Sequence, residues 1–599
     1  MNIENLIISL LPLGTTGRYL AIHNNKMALN VPTPPGAPKS WNACPAWPPD
    51  VFAVAATIID LSGCYTYAGP QPGGISQHNH YLVDVFTLSS QWTNLSTVPS
   101  GIQELWGQLY GYRKTEIADI CEQPDVYSVL FKLFAIADEA CMGMGWTQPI
   151  ASATSTLGAS AAVATAISAT GITFADFART SLLSEDPPSP SAMILPNTPF
   201  SLCSLVPSDR AIVLPKSLTA TVGCTVRSLS HHLALLPGQT QLLPSWRMVD
   251  REYPSAPREM EQMRMLIVPY PFNIPEDSFT LAREPQQLVH GLATAGYFSL
   301  EQKWLANTNA EKITNELLVP LIAEAEKESR GKIHGILMPE CALSEQLAKE
   351  IADRLGDYDV EFFITGALGK ESGTTKNIAL TYIFTSKDGE KGVIHGAQSK
   401  HHRWRLDETQ VKQYALNFPY DAKNPSHLRA KQWWEDIDVS ERKLPFYALR
   451  PDMSLTVLIC EDLARNDPAM SVIRAVGPNL VVALLMDGPQ LGVRWPARYA
   501  TILADDPGSS VLSITCASMV DRSNWTQSRP VRSIGLWRDS GGTTQELNLP
   551  KGTHGMLLTL RMSEKTQHTL DNRADGNLTR KLTLSTVVPL VLDEPPPWL

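Results

Sequence analysis

The C-terminal half of this chain reads as an α/β fold, and the N-terminal half as a separate, mixed but largely helical region. Three observations lead there. At 599 residues the chain is too long for one ordinary core, so two or more domains are expected. From about residue 263 onward, short apolar runs (Met265–Val268, Ile336–Met338, Leu455–Ile459) alternate with helical patterns at Ala310–Ser329 and Leu343–Leu355, which argues an α/β sandwich. Two of those runs stop abruptly on an ionisable residue, Glu340 and Cys460. Hydrophobic content of 43% and charged content of 18% mark a globular chain, and the net charge of −10 gives no general attraction to nucleic acid.

Along the N-terminal half, the apolar Leu6–Leu13 stretch has Glu4 and no basic residue before it, a poor signal peptide. Nine cysteines without a Cys-x-x-Cys pair read as reduced thiols of a cytoplasmic protein. Val31–Pro49 is proline-rich and expected as loop; Val51–Leu61 is either a strand or a buried helix. Gly69–His80 is expected as loop. His78-Asn79-His80 would be half of a metal site if it lay on a strand, but no partner ligand is identifiable. Gly101–Tyr112 and Val126–Met142 have amphipathic helical spacing. The uncharged Pro149–Ala175 run is long enough to span a bilayer but poor in strongly apolar residues. A small-residue helix pair or a flexible segment is expected there, and no membrane contact. Ser184–Pro190 is the clearest linker, and His231-His232 reads as part of a capped, partly exposed helix. The expected division is residues 1–183, a connecting segment 184–262, the α/β domain 263–565 and a tail 566–599.

In the α/β half, Leu455–Ile459 is a buried strand ending on Cys460, followed by Glu461, Asp462 and a plausible helix start. Backbone N–H groups opening a helix favour a thiolate. An unperturbed cysteine is mostly thiol at neutral pH, so a nucleophile there needs a base and an oxyanion donor. Taken alone, Cys460 reads more readily as one more buried small residue. Glu340 ends the strand that follows His334; partial desolvation would raise its pKa towards a useful base, although alone it suits a helix N-terminus. Lys400 follows a plausible hairpin, Asn377–Thr385 and Gly392–Ala397 around Asp388-Gly389.

Pro339-Glu340, then Lys400, then Cys460-Glu461-Asp462, in that order, resemble the motifs of the nitrilase or carbon–nitrogen hydrolase superfamily. The likeness spans roughly Met263 to Met562, including a first strand at Met265–Val268 and a closing hairpin from Ser533. It implies a four-layer αββα sandwich. It also implies Glu340 as base, Cys460 as nucleophile, Lys400 and the backbone N–H of Glu461 as oxyanion donors, and Glu408 as a second glutamate near the amine. The implied substrate is a small amide or nitrile, with no metal or organic cofactor, in a homo-oligomer whose tail is an arm reaching a neighbour. Two departures touch the substrate pocket. Lys400 and Cys460 stand 60 positions apart, with an excess at Lys412–Leu444 that includes Trp433-Trp434, and the usual asparagine near Thr515-Cys516 is not evident. The segment before the α/β half faintly resembles bacterial reverse-transcriptase-associated nitrilase-like antiviral proteins. This leaves an alternative: a binding or assembly module of such a complex, with a polymerase or nucleic acid as a separate partner. Arg403, Trp404, Arg405 and Arg494-Trp495 suit an anionic or planar ligand, or packing.

Overall fold

The computed structural model describes residues 1–15, 20–23, 26–29, 39–69, 74–92, 98–142, 200–217, 219, 223–238, 242–248, 261–283, 295–387, 390–416, 432–450, 453–525, 527–574 and 578–599. The run at 149–175, the linker at 184–190 and the Asp388-Gly389 turn lie outside them. Among the described residues no helix is long and apolar enough to cross a membrane.

Two seven-stranded sheets pack face to face. The first runs Glu390–Ser399, Thr374–Lys387, Phe362–Glu371, Gly335–Ser344, Gln262–Ile267, Gly555–Thr566 and Leu578–Leu590 from edge to edge. The second runs Thr544–Asn548, Ser533–Arg538, Ser510–Thr515, Leu480–Leu485, Met453–Ile459, Lys443–Arg450 and Leu243–Met248. The central strands of each are parallel. Parallel strands need both faces covered, which is why they are buried at nearly every position rather than at alternate ones.

The pleat divides each run between two cores. Met263, Met265 and Ile267 face the other sheet, against Val457, Ile459 and Val482. Leu266, Ile336 and Phe363 face outward, under Leu317, Leu321, Leu347 and Ile351 of the helices Val319–Ser329 and Glu345–Leu355 and the turn before the first. On the far side, Leu458, Val481 and Leu485 pack under the helices Ala469–Val476 and Trp495–Asp505. The α/β half is therefore a helix–sheet–sheet–helix sandwich.

The N-terminal half is largely helical: Ile3–Leu10, Pro48–Ser62, Gly74–Trp92, Ser100–Gly111 and Pro124–Ala140. Its core is continuous with the outer helix layer of the second sheet, since Phe52, Ile58 and Phe134 share one apolar cluster with Val472 and Leu503. Leu243–Met248 pairs in parallel with Lys443–Arg450 as an edge strand of that sheet.

Several local expectations change. Val51–Leu61 is helical, buried along almost its whole length. Residues 74–80 are helical rather than loop, so His78 and His80 point to different sides and cannot share a strand face. His231 and His232 lie in the turn between Val226–Leu229 and Leu233–Pro237, not in a helix. There Asp138 accepts the backbone N–H groups of His231, His232 and Leu233, which supplies locally what helix hydrogen bonds would have. The tail is not a free arm: Leu578–Leu590 pairs antiparallel with Gly555–Thr566, and Trp598 packs edge-on against Tyr270 of the same chain.

A third, four-stranded sheet (Arg405–Asp407, Gln432–Glu435, Ala295–Leu300, Phe279–Arg283) sits over one end of the sandwich. Its Phe279, Phe298 and Trp433 pack with Cys341, in the last part of its strand, and with Met486 and Cys516, just past the C-terminal ends of theirs. In parallel sheets that end is where ligands bind.

Candidate active site

Four chain segments converge at this end. Glu340 lies within the Gly335–Ser344 strand where its pairing with Phe362–Glu371 shifts register. The shift bends the backbone: Cys341 has φ 55°. Gly366 faces the bend, and a Cβ there would lie 2.4 Å from Glu340 Cα, so only glycine lets the strands approach. Lys400 follows the Glu390–Ser399 strand, its N–H donating to Asn377 O of the antiparallel neighbour at 2.8 Å. Cys460 ends Met453–Ile459 and opens the short 3-10 turn Cys460–Ala464 with φ 45°. A non-glycine residue in that region is strained and holds only where its surroundings fix it.

The charged groups form one buried network. Lys400 Nζ donates to Glu340 Oε1 at 2.8 Å and to Glu435 Oε2 at 2.7 Å. Asn377 Nδ2 donates to Glu340 Oε1 and Glu435 Oε1, each at 2.8 Å, and Trp404 N–H to Glu435 Oε2 at 3.0 Å. Lys400 and Asn377 are fully buried, and Glu340, Cys460 and Glu435 nearly so. Glu340 Oε2 accepts no hydrogen bond, so one carboxylate oxygen of the cluster is left open.

Asp462, also buried, ties the lysine loop to the cysteine turn. Both its oxygens accept the His401 N–H at 3.1 Å, and Oδ1 takes His402 Nδ1 at 3.0 Å. Glu461 points outward to an ion pair with Arg465, and its backbone N–H is the first after Cys460. Asp487, just past Leu480–Leu485, is held by Tyr414 Oη at 2.5 Å and by Arg494 at 3.0 Å.

Burial pushes the Cys460 thiol well above its usual range, and the nearby Glu340 carboxylate adds to this while Lys400 opposes it. Burial also raises the Glu340 carboxyl, against the pull of Lys400 and with the Glu435 charge. Lys400 is held well above the usual lysine range: desolvation works against its charge, but Glu340 and Glu435 outweigh it. Burial thus favours the thiol at Cys460, while the flanking glutamates favour the ammonium at Lys400. A carboxylate with a raised pKa and an open oxygen is chemically suited to accept a proton.

Glu340, Lys400 and Cys460, expected from sequence, are brought together. Glu408 is not part of the cluster. It is exposed at the first position of the helix Glu408–Gln413, whose capping box, Asp407 with Gln410, directs that segment into a helix start. The second glutamate at the lysine is Glu435, which sequence reasoning missed together with Asn377. Each carried a signal: Glu435 ends a short aromatic strand as Glu340 interrupts an apolar one, and Asn377 is a strand-poor residue inside a strand. Arg403 donates to Ile437 O, Arg405 covers the Trp434 ring, and Arg494 pairs with Asp487, so these cations are engaged within the fold.

No protein-family model and no curated protein matches the chain. Among solved structures, Saccharomyces cerevisiae Nit3, a member of branch 10 of the nitrilase superfamily, is 12% identical, with 50% of this chain and 90% of that one covered and a TM-score of 0.30. A glutamine-dependent NAD(+) synthetase from Cytophaga hutchinsonii is 11% identical over 50% of this chain and 42% of its own, TM-score 0.25. The C. elegans NitFhit protein is 10% identical over 50% and 60%, TM-score 0.26. At these values the similarity assigns no role to any residue, and the site is read from its own geometry.

Proposed function

We propose that the chain is a thiol-dependent carbon–nitrogen hydrolase acting on a small amide or nitrile. The observation that carries this reading is the buried Glu340–Lys400–Glu435 network beside Cys460, with Glu340 Oε2 open. Burying three charges is a poor way to stabilise a fold, because desolvation offsets most of the attraction; such networks concentrate at functional sites.

Glu340 takes the Sγ proton as the sulfur attacks the amide carbon. The developing oxyanion is met by the Lys400 ammonium and the Glu461 backbone N–H. The tetrahedral adduct collapses, Glu340 returns its proton to the leaving nitrogen, and ammonia or an amine departs from a thioester. Water then attacks the acyl carbon with Glu340 again as base, releasing the carboxylic acid and the free thiol. With a nitrile the first adduct is a thioimidate, and water delivers the amide or acid. Glu435 and Asn377 do not touch reacting atoms; they position Lys400 and Glu340.

The test is ammonia release from a panel of small amides and nitriles by wild-type protein and Cys460→Ala. Turnover of at least one compound, absent in Cys460→Ala, supports the reading. Equal turnover by both proteins refutes it. No turnover, together with retained cellular function of Cys460→Ala, would favour the binding or assembly module instead.

A further inference from the structure

Away from Cys460, a second buried cluster joins the N-terminal helices to the C-terminal segment. Glu139 lies at the end of Pro124–Ala140, and His231 and His232 precede Leu233–Pro237. His231 Nδ1 lies 3.1 Å from Glu139 Oε1, and His232 Nε2 lies 3.1 Å from Glu139 Oε2. One donor atom from each of the three residues falls within 4.8 Å of the others. We propose that Glu139, His231 and His232 bind a divalent first-row metal ion, best matched by Zn²⁺, as a structural clip.

Three features support this. The first is donor geometry. With zinc–ligand distances of roughly 2.0–2.2 Å, ligands on a tetrahedron stand roughly 3.3 Å apart, close to the nitrogen–oxygen separations found. Each carboxylate oxygen faces a different imidazole nitrogen, so an ion there meets two imidazole nitrogens and a carboxylate oxygen.

The second is the surrounding shell. Asp138 receives the backbone N–H groups of His231 at 2.6 Å, His232 at 3.0 Å and Leu233 at 2.8 Å, which fixes both rings' backbone. Arg573 Nε donates to Glu139 Oε1 at 2.8 Å, an outer-shell hydrogen bond that a metal-bound carboxylate oxygen still accepts.

The third is charge. Asp138, Glu139 and Asp571 are three buried carboxylates around one guanidinium, Arg573, which pairs with all of them. A second buried cation of this region, Lys216, has its ammonium spent on the Arg227 and Ser230 carbonyls. Against Arg573 and Lys216 the three carboxylates keep one formal negative charge, which a divalent cation offsets. Glu139 and His231 are 92 positions apart, so the ion would close a long stretch of chain, where a clip constrains most.

The full chain, stripped with chelator, dialysed and given Zn²⁺ alone, is expected to retain close to one zinc per chain. His231→Ala/His232→Ala is expected to lose it and Cys460→Ala to keep it. Co²⁺ in place of zinc should give visible d–d bands without thiolate charge transfer, which reports on the folded wild type even where the double variant does not fold. Zinc should also raise the melting temperature of wild type but not of Glu139→Gln. A wild-type chain that takes up no zinc, zinc unchanged in the double variant, or a cobalt spectrum showing thiolate ligation would each overturn the proposal.

Discussion

Lys400 Nζ sits between two carboxylates, 2.8 Å from Glu340 and 2.7 Å from Glu435, with none of the three more than slightly exposed. One cation therefore compensates two anions in a dry site. Removing it is worse than removing either partner.

Lys400→Ala should nearly abolish turnover, since one oxyanion donor is worth about 3–4 kcal/mol in comparable sites. It should also destabilise the fold by about 3–5 kcal/mol, because two buried carboxylates lose their partner. The sign with pH follows from the raised Glu340 carboxyl. A group whose folded pKa is raised favours the folded state at low pH and loses that contribution as pH rises through the folded pKa. The stability deficit of Lys400→Ala should therefore be smaller at pH 5 than at pH 8. Urea denaturation at both values measures this; a deficit that is constant or larger at pH 5 contradicts it.

Glu435→Gln and Glu408→Gln separate the structural reading from the sequence reading. Glu435→Gln removes a charged hydrogen bond to Lys400 and should cost about 1.5–3 kcal/mol in stability, with a clear loss of kcat. Glu408→Gln alters an exposed helix start and should stay within about 0.5 kcal/mol with activity unchanged. Parallel denaturation and turnover assays on the two variants decide between them.

The fold was legible from sequence where burial dictates pattern. Continuous apolar runs such as Leu455–Ile459 gave central strands, and the polar breaks after them gave Glu340 and Cys460. What failed was pairing across long separations. Glu435 reaches Lys400 because the Gln432–Glu435 strand pairs in parallel with Ala295–Leu300, over a hundred positions earlier, and no local spacing encodes that. Glu408 was favoured by proximity along the chain, yet a capping box claimed its segment. His78-Asn79-His80 failed for a different reason: three short polar residues hide a helix that tertiary packing stabilises.

Asn377→Leu should destabilise by about 2–4 kcal/mol. Its amide donates to both Glu340 and Glu435, and an apolar replacement leaves two buried carboxylates short of a donor. Asn377→Asp should be worse, since it adds a third carboxylate. Equal stability of the two variants in thermal denaturation would contradict the network.

Gly366→Ala should cost about 1–3 kcal/mol and lower kcat, because its methyl group would press on the backbone of Glu340. An active variant of unchanged melting temperature would show that the strands are free to part there.

Asp50 offers a pH test in the N-terminal core. Burial raises its carboxyl to about 7, against the backbone N–H groups of Ser204, Leu205 and Val206. The unfolded value is about 3.9, so this residue makes stability fall by up to about 1.4 kcal/mol per pH unit between roughly pH 4 and 7. Asp50→Asn should flatten that slope in denaturation series; a slope unchanged by the substitution would contradict the raised value.

The most direct test of an assembled nucleophile is the rate at which Cys460 is alkylated by chloroacetamide, itself a small amide, read by peptide mass spectrometry at pH 7. Burial pushes the Cys460 thiol up, so on the proposed mechanism its reaction depends on Glu340 as base. The predicted result is labelling of Cys460 in wild type that slows by about 10²-fold or more in Glu340→Gln and is unchanged in Glu408→Gln. Labelling of Cys460 at equal rates in wild type and Glu340→Gln, or no labelling of Cys460 while the exposed Cys224 reacts fully, would contradict the account.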